Sequence, residues 1–194
     1  MLRRVIASAV VALILSGTAV AGAWEDGWEA YDRGEYATAL RLWRPLAEKG
    51  FIAVQMNVGS MYASGLGVQK DHAVAAAWYR RAAEQGYALA QFNLGVMYDK
   101  GQGVPQNDIE AVRWYRRAAE QGFADAQFNL AFMYGNGRGV TQDFIEAYVW
   151  FSLAAAQGDE DAATNRDLTA DLMTAEQVEA AERMVEDWRP EPSG

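Results

Sequence analysis

The stretch that decides the fold spans residues 87–122 and reads YALAQFNLGVMYDKGQGVPQNDIEAVRWYRRAAEQG. Residues 51–86 and 123–158 align with it without a gap, and the glycines that close the segments recur every 36 residues, at positions 50, 86, 122 and 158. The tyrosines at 62, 98 and 134 and the tryptophans at 78, 114 and 150 occupy matched positions. A fixed period of this length is typical of a repeat protein, in which each unit buries its apolar face against its neighbours.

Each repeat has the pattern of two helices joined by a glycine-containing loop. In the second repeat the apolar residues recur at helical spacing in both halves. They are Ala90, Leu94, Met97 and Tyr98 in the first half, and Ile109, Val112, Tyr115 and Ala119 in the second. Capping-box patterns start the second helix in two copies, at Asn107 and Asp143, because a glutamate follows each three residues later. We therefore predict a helical hairpin for each repeat.

The loop of the second repeat, GQGV at residues 101–104, has the Gly-x-Gly spacing of many phosphate-binding loops. Gly101 follows the last periodic residue of the first helix, where a left-handed C-cap favours glycine. Gly103 allows a second tight bend, and Pro105 stiffens the entry to the next helix. A phosphate loop would follow a strand and continue to a third glycine or to Gly-Lys-Ser/Thr, which none of the three copies does. The pattern predicts a structural corner.

These matched positions resemble the Sel-one-like repeat, a longer-loop relative of the tetratricopeptide repeat. The residues that carry the resemblance in the second copy are Ala90, Leu94, Gly95, Tyr98, Gly101, Gly103, Val104, Ala111, Trp114, Ala118, Ala119 and Gly122. The likeness covers nearly all of residues 51–158, with mild departures such as Ala131 in place of a glycine. It implies an all-α fold, an α-solenoid of stacked antiparallel helical hairpins.

The resemblance also divides the chain. Three Sel-one-like repeats cover residues 51–86, 87–122 and 123–158. Residues 24–50 lack the long glycine loop and resemble an ordinary tetratricopeptide hairpin at the N-terminal end. We expect capping helices over residues 159–189, where Thr174 and Gln177 form another capping box, and a disordered tail over residues 190–194.

The N-terminus has the layout of a secretory signal peptide over residues 1–23. Arg3 and Arg4 precede the apolar run VIASAVVALIL, and two small-x-small sites end at Ala21 and Ala23. We expect cleavage after one of these alanines and export to the periplasm or the exterior, with a soluble mature form. The alternative is an uncleaved membrane anchor, since the run is nearly long enough to span a bilayer.

Composition limits the classes of function. The chain has no cysteine, which excludes thiol catalysis, a disulfide scaffold, an N-terminal lipid anchor on cysteine and cysteine-based zinc sites. Without residues 1–23 it carries 15 basic and 26 acidic residues, a net charge of −11, so we expect no nucleic-acid partner. Residues 159–194 hold 3 of the basic and 11 of the acidic residues, as suits a solvent-facing end unit.

The sequence contains no pattern that indicates catalysis. His72 is the only histidine, and one histidine makes neither a metal site nor a catalytic triad. The acidic clusters at residues 25–26 and 159–161 lie at predicted helix starts, where the helix dipole favours carboxylates. We therefore expect no catalytic, cofactor-binding or metal-binding residues, and a hydrolase is the least favoured alternative.

The first helix of each repeat carries a second stripe that the predicted core does not require. In related repeats these positions line the concave groove, so the resemblance implies an apolar and aromatic groove that binds a partner. Its predicted residues are Met56, Ser60, Phe92, Val96, Asp99, Lys100, Phe128 and Phe132. Asp99 and Lys100 would lie at the rim and orient the partner. The alternative is that these side chains pack between neighbouring hairpins.

We accordingly predict a non-catalytic exported scaffold, an adaptor or regulator that binds a protein or peptide in its groove. The stripe does not place lysine and asparagine where the carboxylate clamp of some tetratricopeptide domains has them, so anionic C-termini are not the expected ligand. The alternative hypothesis is a cell-wall-associated protein that contacts peptidoglycan or assists enzymes acting on it.

Export should depend on residues 1–23. A reporter enzyme fused after Ala23 should leave the cytoplasm, and the same reporter without residues 1–23 should stay there. Mass spectrometry of the mature protein should find an N-terminus at Gly22 or Trp24. Recovery of the full-length chain from the membrane fraction would instead establish the uncleaved anchor.

Overall fold

The computed structural model describes residues 22–190, and within that range ten segments are α-helical and none is a β-strand. The helices are α1 (residues 22–32), α2 (Tyr36–Glu48), α3 (Ile52–Ser64), α4 (His72–Glu84), α5 (Ala88–Lys100), α6 (Asp108–Glu120), α7 (Ala124–Asn136), α8 (Phe144–Ala155), α9 (Glu160–Ala170) and α10 (Ala175–Asp187). The predicted all-α class is confirmed. The predicted signal peptide lies outside the described residues apart from positions 22 and 23, and the predicted tail does so apart from Pro190.

The described residues form two compact units, divided inside α4 between Trp78 and Tyr79. In the first unit α2 packs on α3. In the second unit α5 packs on α6, α6 on α7, α7 on α8 and α8 on α9, while α10 also packs on α8. Helices α5 to α9 therefore contact each other in chain order, as expected where each repeat buries its apolar face on the next.

The first unit contains an aromatic cluster around Trp43 of α2, which is fully buried. The rings of Trp28, Tyr31 and Trp24 surround it, with centroids 5.0, 5.7 and 5.9 Å away. A Cβ at Gly27 would lie 2.1 Å from the Trp43 Nε1 atom, so only glycine lets α1 approach the indole this closely. These contacts hold α1 against α2 across the short turn at residues 33–35.

The glycine loop of each repeat is a corner, as predicted. Gly101 ends α5 in the left-handed conformation, with φ of 65° and ψ of 33°. The amides of Gln102 and Asn107 donate to the carbonyl oxygens of Met97 and Tyr98, both at 2.9 Å, and so satisfy carbonyls that the end of the helix leaves open. The loops of the other two repeats make the same pair of bonds.

The second glycine of the loop allows a close contact that the sequence did not reveal. In the third repeat a Cβ at Gly139 would lie 2.3 Å from the carbonyl oxygen of Asp108, at the start of α6. In the first repeat a Cβ at Gly67 would lie 2.4 Å from the backbone nitrogen of Ala37, near the start of α2. Each of these loops therefore rests on the first turn of the preceding hairpin's second helix, where a side chain would block the contact.

The predicted capping boxes on α6 and α8 are half formed. Asn107 and Asp143 each accept a hydrogen bond from the third backbone amide of the following helix, at 3.1 Å in both cases. The glutamate that would complete each box has another partner, Arg113 on α6 at 2.6 Å and Trp150 Nε1 on α8 at 2.9 Å. On α10 the predicted box is complete.

A buried glutamine joins each repeat to the hairpin before it. Gln55, Gln91 and Gln127 occupy the same position on α3, α5 and α7, and all three are almost wholly buried. Their side-chain amides donate to the carbonyl oxygens of Ala47, Ala83 and Ala119, at 3.0, 3.1 and 3.1 Å. In the second unit Gln121 and Gln157 in turn donate to the Oε1 atoms of Gln91 and Gln127, at 2.7 and 2.8 Å. The side chains of Gln91 and Gln127 are therefore bonded both to the preceding repeat and to the end of their own repeat.

Two arginines add a further link between neighbouring repeats in the second unit. The Arg80 guanidinium on α4 donates to the Tyr98 hydroxyl on α5 at 2.6 Å, and Arg116 on α6 donates to the Tyr134 hydroxyl on α7. The matched tyrosines of the repeat are thus tied to the second helix of the preceding repeat. A hydrogen bond to a charged donor is stronger than one between neutral groups.

Replacing Gly139 by alanine should destabilise the protein far more than replacing Gly158. Both glycines have positive φ, 69° and 98°, so either alanine carries the strain of a left-handed residue, roughly 1–2 kcal/mol. At Gly139 the new methyl group also meets the backbone of Asp108, which should raise the loss to about 4 kcal/mol, whereas nothing lies within 4 Å at Gly158. Urea unfolding measures both losses, and equal values would show that the loop does not rest on α6.

Candidate functional site

The eight predicted groove residues fall in two places. Met56 and Ser60 are half-buried on α3, in the first unit. The other six lie in the second unit and are Phe92, Val96, Asp99 and Lys100 on α5, and Phe128 and Phe132 on α7. Because α5 and α7 begin 36 residues apart, Phe92 matches Phe128 in position and Val96 matches Phe132.

Phe92 connects two repeats. Its ring lies 5.2 Å, between centroids, from Phe123 at the start of the next repeat and 6.0 Å from Tyr115 on α6. Both Phe92 and Val96 are half-buried against the hydrophobic core. For these two residues the contacts favour the alternative reading of the stripe, in which the side chains pack between hairpins.

The two phenylalanines of α7 differ in burial. Phe128 is half-buried, with its ring edge-on to Phe151 of α8 at 5.5 Å between centroids. Phe132, four residues later, is 45% exposed. Among the apolar residues of the predicted groove, Phe132 is therefore the one most open to a partner.

Asp99 is held by other residues of the chain. The Arg138 guanidinium, on the loop after α7, lies 2.7 Å from the Asp99 carboxylate and 2.7 Å from the Asp108 carboxylate. The Tyr115 hydroxyl donates to Asp99 at 3.4 Å, and burial, together with this carboxylate, raises the pKa of Tyr115. Asp99 thus braces the loop of the third repeat, whereas Lys100 beside it is exposed to solvent.

The stripe continues on α9, within the predicted cap. This helix begins at Glu160, again 36 residues after the start of α7, so Leu168 occupies the position of Phe132. Leu168 is 58% exposed, and Leu172, four residues further, is 65% exposed. The sequence analysis missed both leucines. The 36-residue period, applied once more to Phe132, would have pointed to Leu168.

A pocket of about 560 Å³ lies between α8, α9 and α10. Its polar lining consists of Tyr148 and Ser152 on α8, Arg166 on α9, and Glu182 and Glu186 on α10. Burial raises the pKa of Tyr148, and the negative charge of Glu182 adds to this effect. The Tyr148 side chain therefore remains a neutral hydroxyl near pH 7.

His72 is half-buried at the start of α4. Across residues 22–190 no group of three or more His, Cys, Asp or Glu side chains is arranged to hold a metal ion. In the same part of the chain no helix is long and apolar enough to cross a membrane.

A family model of the Sel1 repeat matches the chain three times, at residues 52–87, 88–123 and 124–159. Each match begins one residue after the corresponding predicted repeat. A comparison with curated protein sequences gives no significant match.

Similar solved structures include two with substantial sequence identity. A Sel1 repeat protein from Oxalobacter formigenes is 39% identical with a TM-score of 0.70, and the match covers 75% of this chain and 60% of that one. A protective antigen of uropathogenic Escherichia coli strains, which displays an SLR fold, is 33% identical with a TM-score of 0.76, and the match covers 87% of this chain and 37% of that one. This chain therefore spans 60% and 37% of the length of these two relatives.

Helicobacter pylori cysteine rich protein B is similar in fold alone. It is 21% identical with a TM-score of 0.54, and the match covers 66% of this chain and 95% of that one. Together with the three matched repeats, these likenesses confirm the predicted α-solenoid of helical repeats.

Proposed function

The chain belongs to the Sel1 repeat family, whose members serve as protein-interaction scaffolds, and we propose that it binds a protein or peptide partner through the exposed faces of its first helices. In this proposal it is a non-catalytic adaptor or regulator. The observation that carries the proposal is the 45% exposure of Phe132, in a stripe whose other phenylalanine rings are packed.

Folding of α7 does not require the Phe132 ring. Leu130 and Met133 of the same helix are fully buried and supply its core contacts. A large apolar ring left in water gains nothing for stability, and groups of such side chains usually mark interaction sites. Leu168 repeats the exposure of Phe132 one period later, which supports a shared surface rather than a single stray residue.

The other groove residues take supporting roles in the proposal. Phe92 and Phe128 fix the first helices against the second helices, and Asp99 fixes the loop that carries Arg138. We keep the predicted groove, but of its apolar residues Phe132 is the proposed contact centre. Lys100 remains available at the rim.

We place the interaction outside the cytoplasm. This part of the proposal rests on residues 1–23, whose charged start, apolar run and small-residue end are those of a signal peptide. An envelope protein or a secreted peptide is then the partner that the surface would meet. Contact with peptidoglycan is the alternative that the experiment must separate.

Phe132→Ser should weaken partner capture. Loss of a central anchor costs at least ~2 kcal/mol, which is about thirtyfold in affinity. The tethered full chain would be exposed to envelope extract, and captured proteins would be quantified by mass spectrometry. Ile109→Ser is the matched control, because Ile109 is 68% exposed on α6 and lies outside the stripe.

Two further measurements complete the test. Phe92→Ser should lower the melting temperature because its ring packs between repeats, whereas Phe132→Ser should leave it nearly unchanged. Undiminished capture by Phe132→Ser would show that the proposed surface is wrong. Co-sedimentation with purified peptidoglycan, without capture of any protein, would favour the cell-wall alternative.

A further inference from the structure

The exposed side of α9 and of the two residues after it combines apolar and acidic side chains. The exposed residues are Glu160, Asp161, Thr164, Asp167, Leu168, Asp171 and Leu172, and we call this set the α9 face. Successive members are separated by one or three residues, a spacing that places side chains on one side of a helix. The opposite side carries Ala162 and Thr169, which are buried.

The leucines of the α9 face do not contribute to the core. Leu168 and Leu172 are 58% and 65% exposed, and because they are four residues apart their side chains are neighbours. Leu168 also matches Phe132 by the repeat period, so the apolar part of the face continues the stripe of the proposed binding surface. Two adjacent leucines in water form a surface that a partner with apolar side chains would cover favourably.

The charges around the leucines are nearly all negative. Asp171 caps the C-terminal end of α9, where the helix dipole disfavours a carboxylate, so a cation beside it would be stabilising. The Asp167 carboxylate lies 2.7 Å from Arg166, and both side chains remain partly or largely exposed. The other two arginines after Gly158 are engaged elsewhere, Arg183 with Glu179 at 3.8 Å and Arg189 with backbone carbonyls.

We propose that the α9 face docks a partner segment in which apolar side chains are flanked by lysine or arginine. The apolar side chains contact Leu168 and Leu172, and the basic ones pair with Asp171 and Asp167. This inference rests on the proposed function, since it assigns the chemistry of the partner. A second copy of the chain does not suit the face, because the chain has a formal net charge of −9 and α1 also carries Glu25, Asp26, Glu29 and Asp32.

Three short labelled peptides of equal length test the partner chemistry. The first peptide places leucines on one face of a helix and lysines on the other. The second peptide has serine in place of every leucine, and the third has glutamate in place of every lysine. Fluorescence anisotropy with the full chain should show binding of the first peptide only, weakened by added salt as charge pairing requires. The other two should bind at least about tenfold more weakly, because each lacks one of the two required contacts.

Variants of the full chain locate the binding. The double variant Leu168→Ser/Leu172→Ser should weaken the first peptide at least about tenfold. Asp171→Asn should weaken it about threefold, as expected for an exposed ion pair, and should not harm the helix end. Ile109→Ser is again the control and should bind as the wild type does. Circular dichroism should show that all variants keep the helical content.

Several outcomes would overturn the inference. Equal binding of the serine peptide would show attraction by charge alone, and equal binding of the glutamate peptide would exclude a basic partner. An equal loss in Ile109→Ser, or no loss in either α9 variant, would place the binding elsewhere. If Phe132→Ser abolishes capture from envelope extract while both α9 variants capture normally, the proposed function stands and the α9 face is not its docking surface.

Discussion

The buried glutamine at the start of each repeat is the contact on which the stacking depends. Its amide reaches a carbonyl in the last turn of the preceding second helix, at 3.0 to 3.1 Å in Gln55, Gln91 and Gln127. A buried amide must find partners, and these partners exist only when successive hairpins sit in one register. The close approach of Gly139 to Asp108 and the Arg116–Tyr134 bond both require that same register.

The sequence predicted the fold because its local signals and its period agree. Some features depend only on residues nearby in the sequence, and short stretches predicted them. They are the helical spacing, the left-handed glycine at position 101 and the complete capping box on α10. The contact at Gly139 and the partner of Arg116 join residues from neighbouring repeats. The residue pattern of a single repeat does not reveal these two contacts. The buried glutamine link does leave a signal in the sequence, because all three repeats have a glutamine at the same position of the first helix, among apolar residues.

The candidate site was harder to predict for a related reason. Phe92 on α5 and Phe132 on α7 belong to the same predicted stripe. The Phe92 ring nevertheless packs on Phe123, whereas Phe132 is 45% exposed. Burial of a side chain depends on which residues the neighbouring repeat supplies, and helical periodicity does not report this. Leu168 was missed because acidic residues dominate the segment after Gly158 and favour an interpretation as a simple cap.

The stability of glutamine variants tests the stacking account most directly. Gln91→Leu replaces the amide by an apolar side chain of similar size and removes the bonds to Ala83 and from Gln121, so urea unfolding should show a loss of about 2 kcal/mol. Gln102→Leu, at an exposed loop position, is the control and should change stability by less than about 0.5 kcal/mol. Equal stability of the two variants would contradict the claim that the buried glutamine holds the repeats in register.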